Sequence, residues 1–88
     1  PVLQIRLFNL QNQNNPNPDF TTLSIATETL IAMEAYNAGV EINYLLDQYP
    51  NMPASEVERL ALLKQQCYAH AYNLYHGAVV QKNGDFAN

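Results

Sequence analysis

Leu3, Ile5 and Leu7 alternate with Gln4 and Arg6 near the start of the chain, which is the two-residue period of a strand. A lone strand leaves its backbone N–H and C=O groups unpaired. The only other β-like run is the short Ala78-Val79-Val80. Residues 1–8 are therefore expected to form an extended arm that pairs with a neighbouring chain. Residues 9–19 are rich in Asn and Gln and carry Pro16 and Pro18. They read as a polar linker unable to build a core. Asn17-Pro18-Asp19 then has the order of a helix start, with Asn as the cap, Pro at the first helical position and an acid in the first turn.

From Phe20 to Tyr49 the period changes to that of one long helix. Ile31, Ala35, Ile42, Leu46 and Tyr49 fall on one side, and Ala26, Met33, Val40 and Tyr44 on a second. Thr27, Glu34, Glu41 and Gln48, seven apart, draw a polar stripe between them. Gly39 is the weak point, because glycine in a helix interior costs about 1 kcal/mol relative to alanine. Were the helix to end there, Val40–Tyr44 would alternate as a strand; the continuous helix is the expectation. Pro50 and Pro53 break the pattern. Ser55 and Glu58 have capping-box spacing, so a second helix is expected from about residue 54 to Gly77, with the glycine as C-cap. Its apolar sector includes Val57, Leu60, Leu63, Cys67, Ala71 and Leu74. Residues 78–88 read as a polar tail.

The expected fold is mainly α: one small domain over residues 1–88, an antiparallel helical hairpin of about 20–49 and 54–77 behind an extended N-terminal arm. Ile31, Ile42, Leu46, Leu60, Leu63 and Leu74 should fill the hairpin. A first helix that is apolar on two sides cannot be covered by one companion, so the remaining side calls for another protein surface. Met33, Val40 and Tyr44, the stripe Tyr68, Tyr72 and Tyr75, and the arm residues Leu3, Ile5 and Leu7 are the expected partner interface. Tyrosine combines apolar area with a polar tip, which suits such surfaces.

Charge narrows the partner. The net charge is −4, and no Lys or Arg lies between Arg6 and Arg59, a stretch that holds seven of the eight acids. Phosphate backbones need clustered cations, so a nucleic-acid partner is not expected. No apolar run is long enough to span a bilayer, and the opening residues lack the pattern of a secretory signal; the cytoplasm or a larger particle is the expected location. The single cysteine excludes an internal disulfide framework.

Candidate chemistry is sparse. A proline with a free secondary amine, placed in an apolar pocket, can act as a general base. The opening Pro1-Val2-Leu3-Gln4-Ile5-Arg6-Leu7 resembles the first strand of the amino-terminal-proline tautomerases. That resemblance implies a catalytic Pro1 and a strand–helix–strand unit, with arginines such as Arg6 or Arg59 holding an anionic substrate. It covers seven residues. The polar linker then departs from the family's pattern, and the second strand requires a break at Gly39. Cys67 and His70 have a spacing that can serve a metal, but no third and fourth ligand accompanies them in the sequence. No catalytic, cofactor or metal site is expected. The reading that results is a non-enzymatic interaction or assembly subunit, homo- or hetero-oligomeric, of the kind found among phage virion parts and secretion accessories. An acidic inhibitor of a basic protein surface is one alternative, and a tautomerase-like enzyme another.

Overall fold

A computed structural model describes the backbone of residues 2–87 and the side chains of residues 2–77. It is helical: α1 (Val2–Gln11), two single 3-10 turns (Phe20–Thr22 and Thr27–Thr29), α2 (Ala32–Gln48) and α3 (Ala54–Ala87). No strand occurs among the described residues.

The opening residues are therefore a helix and not an extended arm. Val2, Ile5 and Phe8 recur every three residues and face the core, Ile5 with only 1% of its surface exposed. The alternation of Leu3, Ile5 and Leu7 is compatible with a helix because Leu3, Leu7 and Leu10 make a second apolar stripe, on the opposite and exposed side. A helix satisfies its own backbone groups, which an unpaired strand cannot.

The second departure lies at residues 20–31. Phe20, Leu23, Thr27 and Leu30 are buried at helix-like spacing, yet the backbone makes two 3-10 turns joined by extended residues. The cause is local chemistry. The stretch holds Thr21, Thr22, Ser24, Thr27 and Thr29, residues whose hydroxyls compete for backbone groups. Thr22 Oγ1 donates to the Asp19 carbonyl (3.1 Å) and Thr29 Oγ1 to the Ala26 carbonyl (2.7 Å). Asp19 caps the first turn by accepting the Thr21 N–H at 3.1 Å, two residues past the expected Asn17 cap. From α3, the Arg59 guanidinium donates to the carbonyls of Phe20 and of Leu23, the latter an acceptor that a continuous helix would need for its own ladder.

α2 and α3 form the antiparallel hairpin. Lys64 reaches Asn43, and farther along Tyr68 packs on Gly39. Ala35, Ala38, Ile42 and Leu45 of α2 close on Leu60, Leu63, Cys67 and Ala71 of α3, all buried. Ile42, Leu60 and Leu63 fill the hairpin as expected and Leu46 packs at its edge. Ile31 and Leu74 do not: they are exposed, Ile31 because it precedes α2 and Leu74 because it lies off the Leu60–Ala71 face. α3 also runs through Gly77, and no described glycine has the left-handed φ of a C-cap. Residues 78–87 therefore belong to α3 rather than to a loose tail.

Gly39 does not interrupt α2. Its role is close approach: a Cβ there would stand 2.7 Å from Tyr68 Cε1 and 2.9 Å from Cδ1, closer than carbon atoms can pack. Gly39→Ala gains about 1 kcal/mol of helix propensity, but overpacking costs about 1–3 kcal/mol. The expected net result is a loss of about 1 kcal/mol, read as a lower urea midpoint. An unchanged or raised midpoint would show that the Tyr68 ring moves aside freely.

α1 lies along α2 in the same direction. Arg6 Nε pairs with Glu41 at 2.7 Å, and Tyr49 Oη donates to the Asn12 carbonyl at 3.1 Å. At that end Phe20 joins the pieces, its ring centroid 5.5 Å from Phe8 and 5.2 Å from Tyr49 in an edge-to-face pair.

Candidate functional site: a tyrosine-walled groove

The core side of α2 leaves its opposite side bare. Met33, Tyr36, Val40 and Tyr44, at steps of three and four residues, are all exposed. On the neighbouring flank of α3, Tyr68, Tyr72 and Tyr75 follow at steps of four and three. The two rows bound a groove of about 640 Å³, walled by Met33 and Tyr36 from α2 and the three tyrosines from α3, with Ala32 and Ala71 between them. The small residues let the walls stand apart. Gly39 seats the Tyr68 ring against α2, where it meets Tyr36 at a centroid distance of 5.6 Å. Tyr72 stacks on His76, with ring planes 6° apart.

The structure brings four of the nine residues expected at an interface into the groove. Met33, Tyr68, Tyr72 and Tyr75 line the groove, and Val40 and Tyr44 continue the exposed row of α2 beyond it. Tyr36 was missed; its step of three residues from Met33 and four to Val40 was the available signal. Leu3 and Leu7 are exposed on α1. Ile5 is not available to a partner, because it sits in the core.

A second concavity of about 280 Å³ lies at the other end of the hairpin, between the 15–18 segment and the 48–53 turn. Its walls are prolines, amides, Phe20, Met52 and Tyr49, with no carboxylate, imidazole or thiol to carry acid–base or nucleophilic work.

The remaining candidate chemistry is dispersed. Cys67 is fully buried, while His70 Nε2 donates to the Leu30 carbonyl at 2.9 Å. No group of three metal-capable side chains occurs among the described residues. Pro1 lies outside the described residues. The two strands that the tautomerase resemblance implies, at residues 2–7 and 40–44, are both helix. Of the seven acids between Arg6 and Arg59, Asp19 caps a turn, Glu41 pairs with Arg6 and Glu56 with Arg59. No helix among the described residues is long and apolar enough to cross a membrane.

Burial pushes the Cys67 thiol above its ordinary range, an effect opposed in part by the Thr27 hydrogen bond. A raised pKa means that the fold favours the neutral thiol. Its stabilising contribution is complete below the unfolded thiol's value of about 8.5 and is lost as pH rises through the higher folded value. Burial raises Tyr68 as well, helped by its neighbours Tyr36 and Cys67. Stability measured by urea unfolding is therefore expected to fall as pH rises above about 8.5, and Cys67→Ala to flatten that decline. A decline of unchanged slope in the variant would remove Cys67 as a cause.

Compared with protein families, curated proteins and solved structures, the chain matches no family, no curated protein and no solved structure.

Proposed function

We propose that this chain is a non-enzymatic protein-interaction subunit whose working surface is the Met33–Tyr44 and Tyr68–Tyr75 face. The observation that carries the reading is the amount of apolar surface left bare. Taking roughly 200 Å² for a large side chain, Met33, Tyr36, Val40, Tyr44, Tyr72 and Tyr75, each 42–72% exposed, present on the order of 700 Å². The largest such patch on an ordinary monomer is about 300–600 Å². Tyrosine and methionine are also the residue types that interfaces favour, and the aromatic walls offer rigid area with hydroxyl tips for hydrogen bonds. A role in building or adapting a larger assembly follows from a subunit that is mostly scaffold and surface.

The test uses a photo-crosslinking side chain in place of Tyr72 in the full chain, expressed where the protein is made. Crosslinks to a polypeptide are expected from position 72 and not from Glu58, an exposed control outside the patch. Equal labelling from both positions, or none from position 72, would remove the interaction reading. The acidic-inhibitor alternative predicts the reverse order, with charge reversal at Glu34 and Glu41 abolishing binding and changes at the tyrosines mattering little.

A further inference from the structure

We infer that the groove's occupant is a second copy of this chain, whose α1 leucine ridge lies between the tyrosine and methionine walls. This rests on the interaction reading and names the partner. The chain carries two uncovered apolar features of opposite shape. One is the groove between α2 and α3; the other is the convex ridge of Leu3, Leu7 and Leu10 on α1, each more than half exposed. Their spacings agree. The leucines step by four and then three residues, and so do Tyr68, Tyr72 and Tyr75. Each set spans about 10 Å of helix at 1.5 Å per residue. A helix ridge entering a groove between two helices is a standard mode of recognition, with anchors at these intervals.

Charge points the same way. Arg6 is the sole charged side chain of α1, it flanks the leucine ridge, and 59% of its side chain is exposed even while it holds Glu41. α2 carries Glu34, Glu41 and Asp47 and no cation. The helix that offers the ridge is thus cationic and the helix that offers the groove wall is acidic, which favours their meeting across two copies.

Area completes the argument. Adding the three leucines at roughly 180 Å² each, in proportion to their exposure, brings the bare apolar surface to about 1,000 Å² per chain, beyond the ~800 Å² per partner of a stable interface. Two copies related by a two-fold axis bury both features at once, ridge into groove and groove around ridge. That arrangement closes on itself and leaves no free end for further growth.

The experiment is sedimentation of the full chain at about 100 µM. The wild type is expected at twice the 9.9 kDa chain mass. Leu7→Asp removes the ridge and Met33→Asp the groove wall; both residues are exposed, so circular dichroism should stay unchanged while each variant sediments as a single chain. An equimolar mixture of the two variants keeps one intact ridge and one intact groove, and should associate again, at least tenfold more weakly than the wild type. A wild type of single-chain mass, an open-ended polymer, variants that still pair, or a mixture that does not re-associate would each overturn the inference. A single-chain mass together with position-72 crosslinks to a different polypeptide would overturn the second copy and leave the interaction reading standing. A single-chain mass without such crosslinks would end both.

Discussion

Phe20→Ala is expected to lower the stability of the fold by about 3–5 kcal/mol, the range for truncating a buried phenylalanine. Phe20 is 3% exposed and its ring touches Phe8 of α1 and Tyr49 at the end of α2. Deleting it opens a cavity where α1, the first 3-10 turn and the hairpin meet. A domain of this size holds on the order of 4–13 kcal/mol in all, so a large part of the margin is at stake. Each kcal/mol moves the melting temperature by about 4–8 °C in such a domain, and a fall of at least ~12 °C should be seen by circular dichroism. A fall of less than ~4 °C would mean that α1 and the first turn do not depend on this ring. Tyr49 loses its edge-to-face neighbour in the variant, so its hydrogen bond to the Asn12 carbonyl should become more exchangeable as well.

Arg59→Met is expected to cost about 2 kcal/mol. The substitution keeps most of the aliphatic stem and removes the guanidinium that donates to the Phe20 and Leu23 carbonyls and to Glu56. Hydrogen bonds from a charged donor are worth about 1.5–3 kcal/mol. The lower part of that range applies to this set, because 38% of the Arg59 side chain is exposed and solvent screens its ion pair. The loss should be local before it is global: amide exchange should accelerate at residues 20–30 while Ala35–Leu45 of α2 keep their protection. Uniform acceleration across both segments would show that Arg59 supports the hairpin as a whole and not the segment it grips.

Residues 20–31 carry a helical period that their backbone does not follow. Phe20, Leu23, Thr27 and Leu30 repeat at the interval of a helix, so the buried face was legible even though the backbone was not. What overrode the period was a cluster of hydroxyl residues with local partners, and one arginine 36 residues away from the carbonyl it claims. The first could have been weighed from composition. The second is a tertiary contact, and no window of neighbouring residues contains it. α1 shows a different ambiguity. Seven residues with apolar side chains at Val2, Leu3, Ile5, Leu7 and Phe8 satisfy both the strand and the helix period, and the tie is broken only by what packs beneath. The hairpin was legible because its signals agree: Pro50 and Pro53 mark the turn, and the α2 and α3 core faces each repeat over several turns. Half of the groove was visible for the same reason, as rows of exposed residues on separate helices. Their meeting across a shared trough was not visible, since it depends on how the helices pack and on Gly39 admitting the Tyr68 ring.

The chain has six tyrosines and no tryptophan, and four of the six stand around one trough. Ultraviolet emission from the unlabelled protein is therefore weighted toward that single place. Anything that settles there changes the polarity and collisional quenching of four phenols together, while Tyr44 and Tyr49 contribute the background. The molecule carries its own optical gauge of whether the trough is filled, and titrating concentration alone should make it respond.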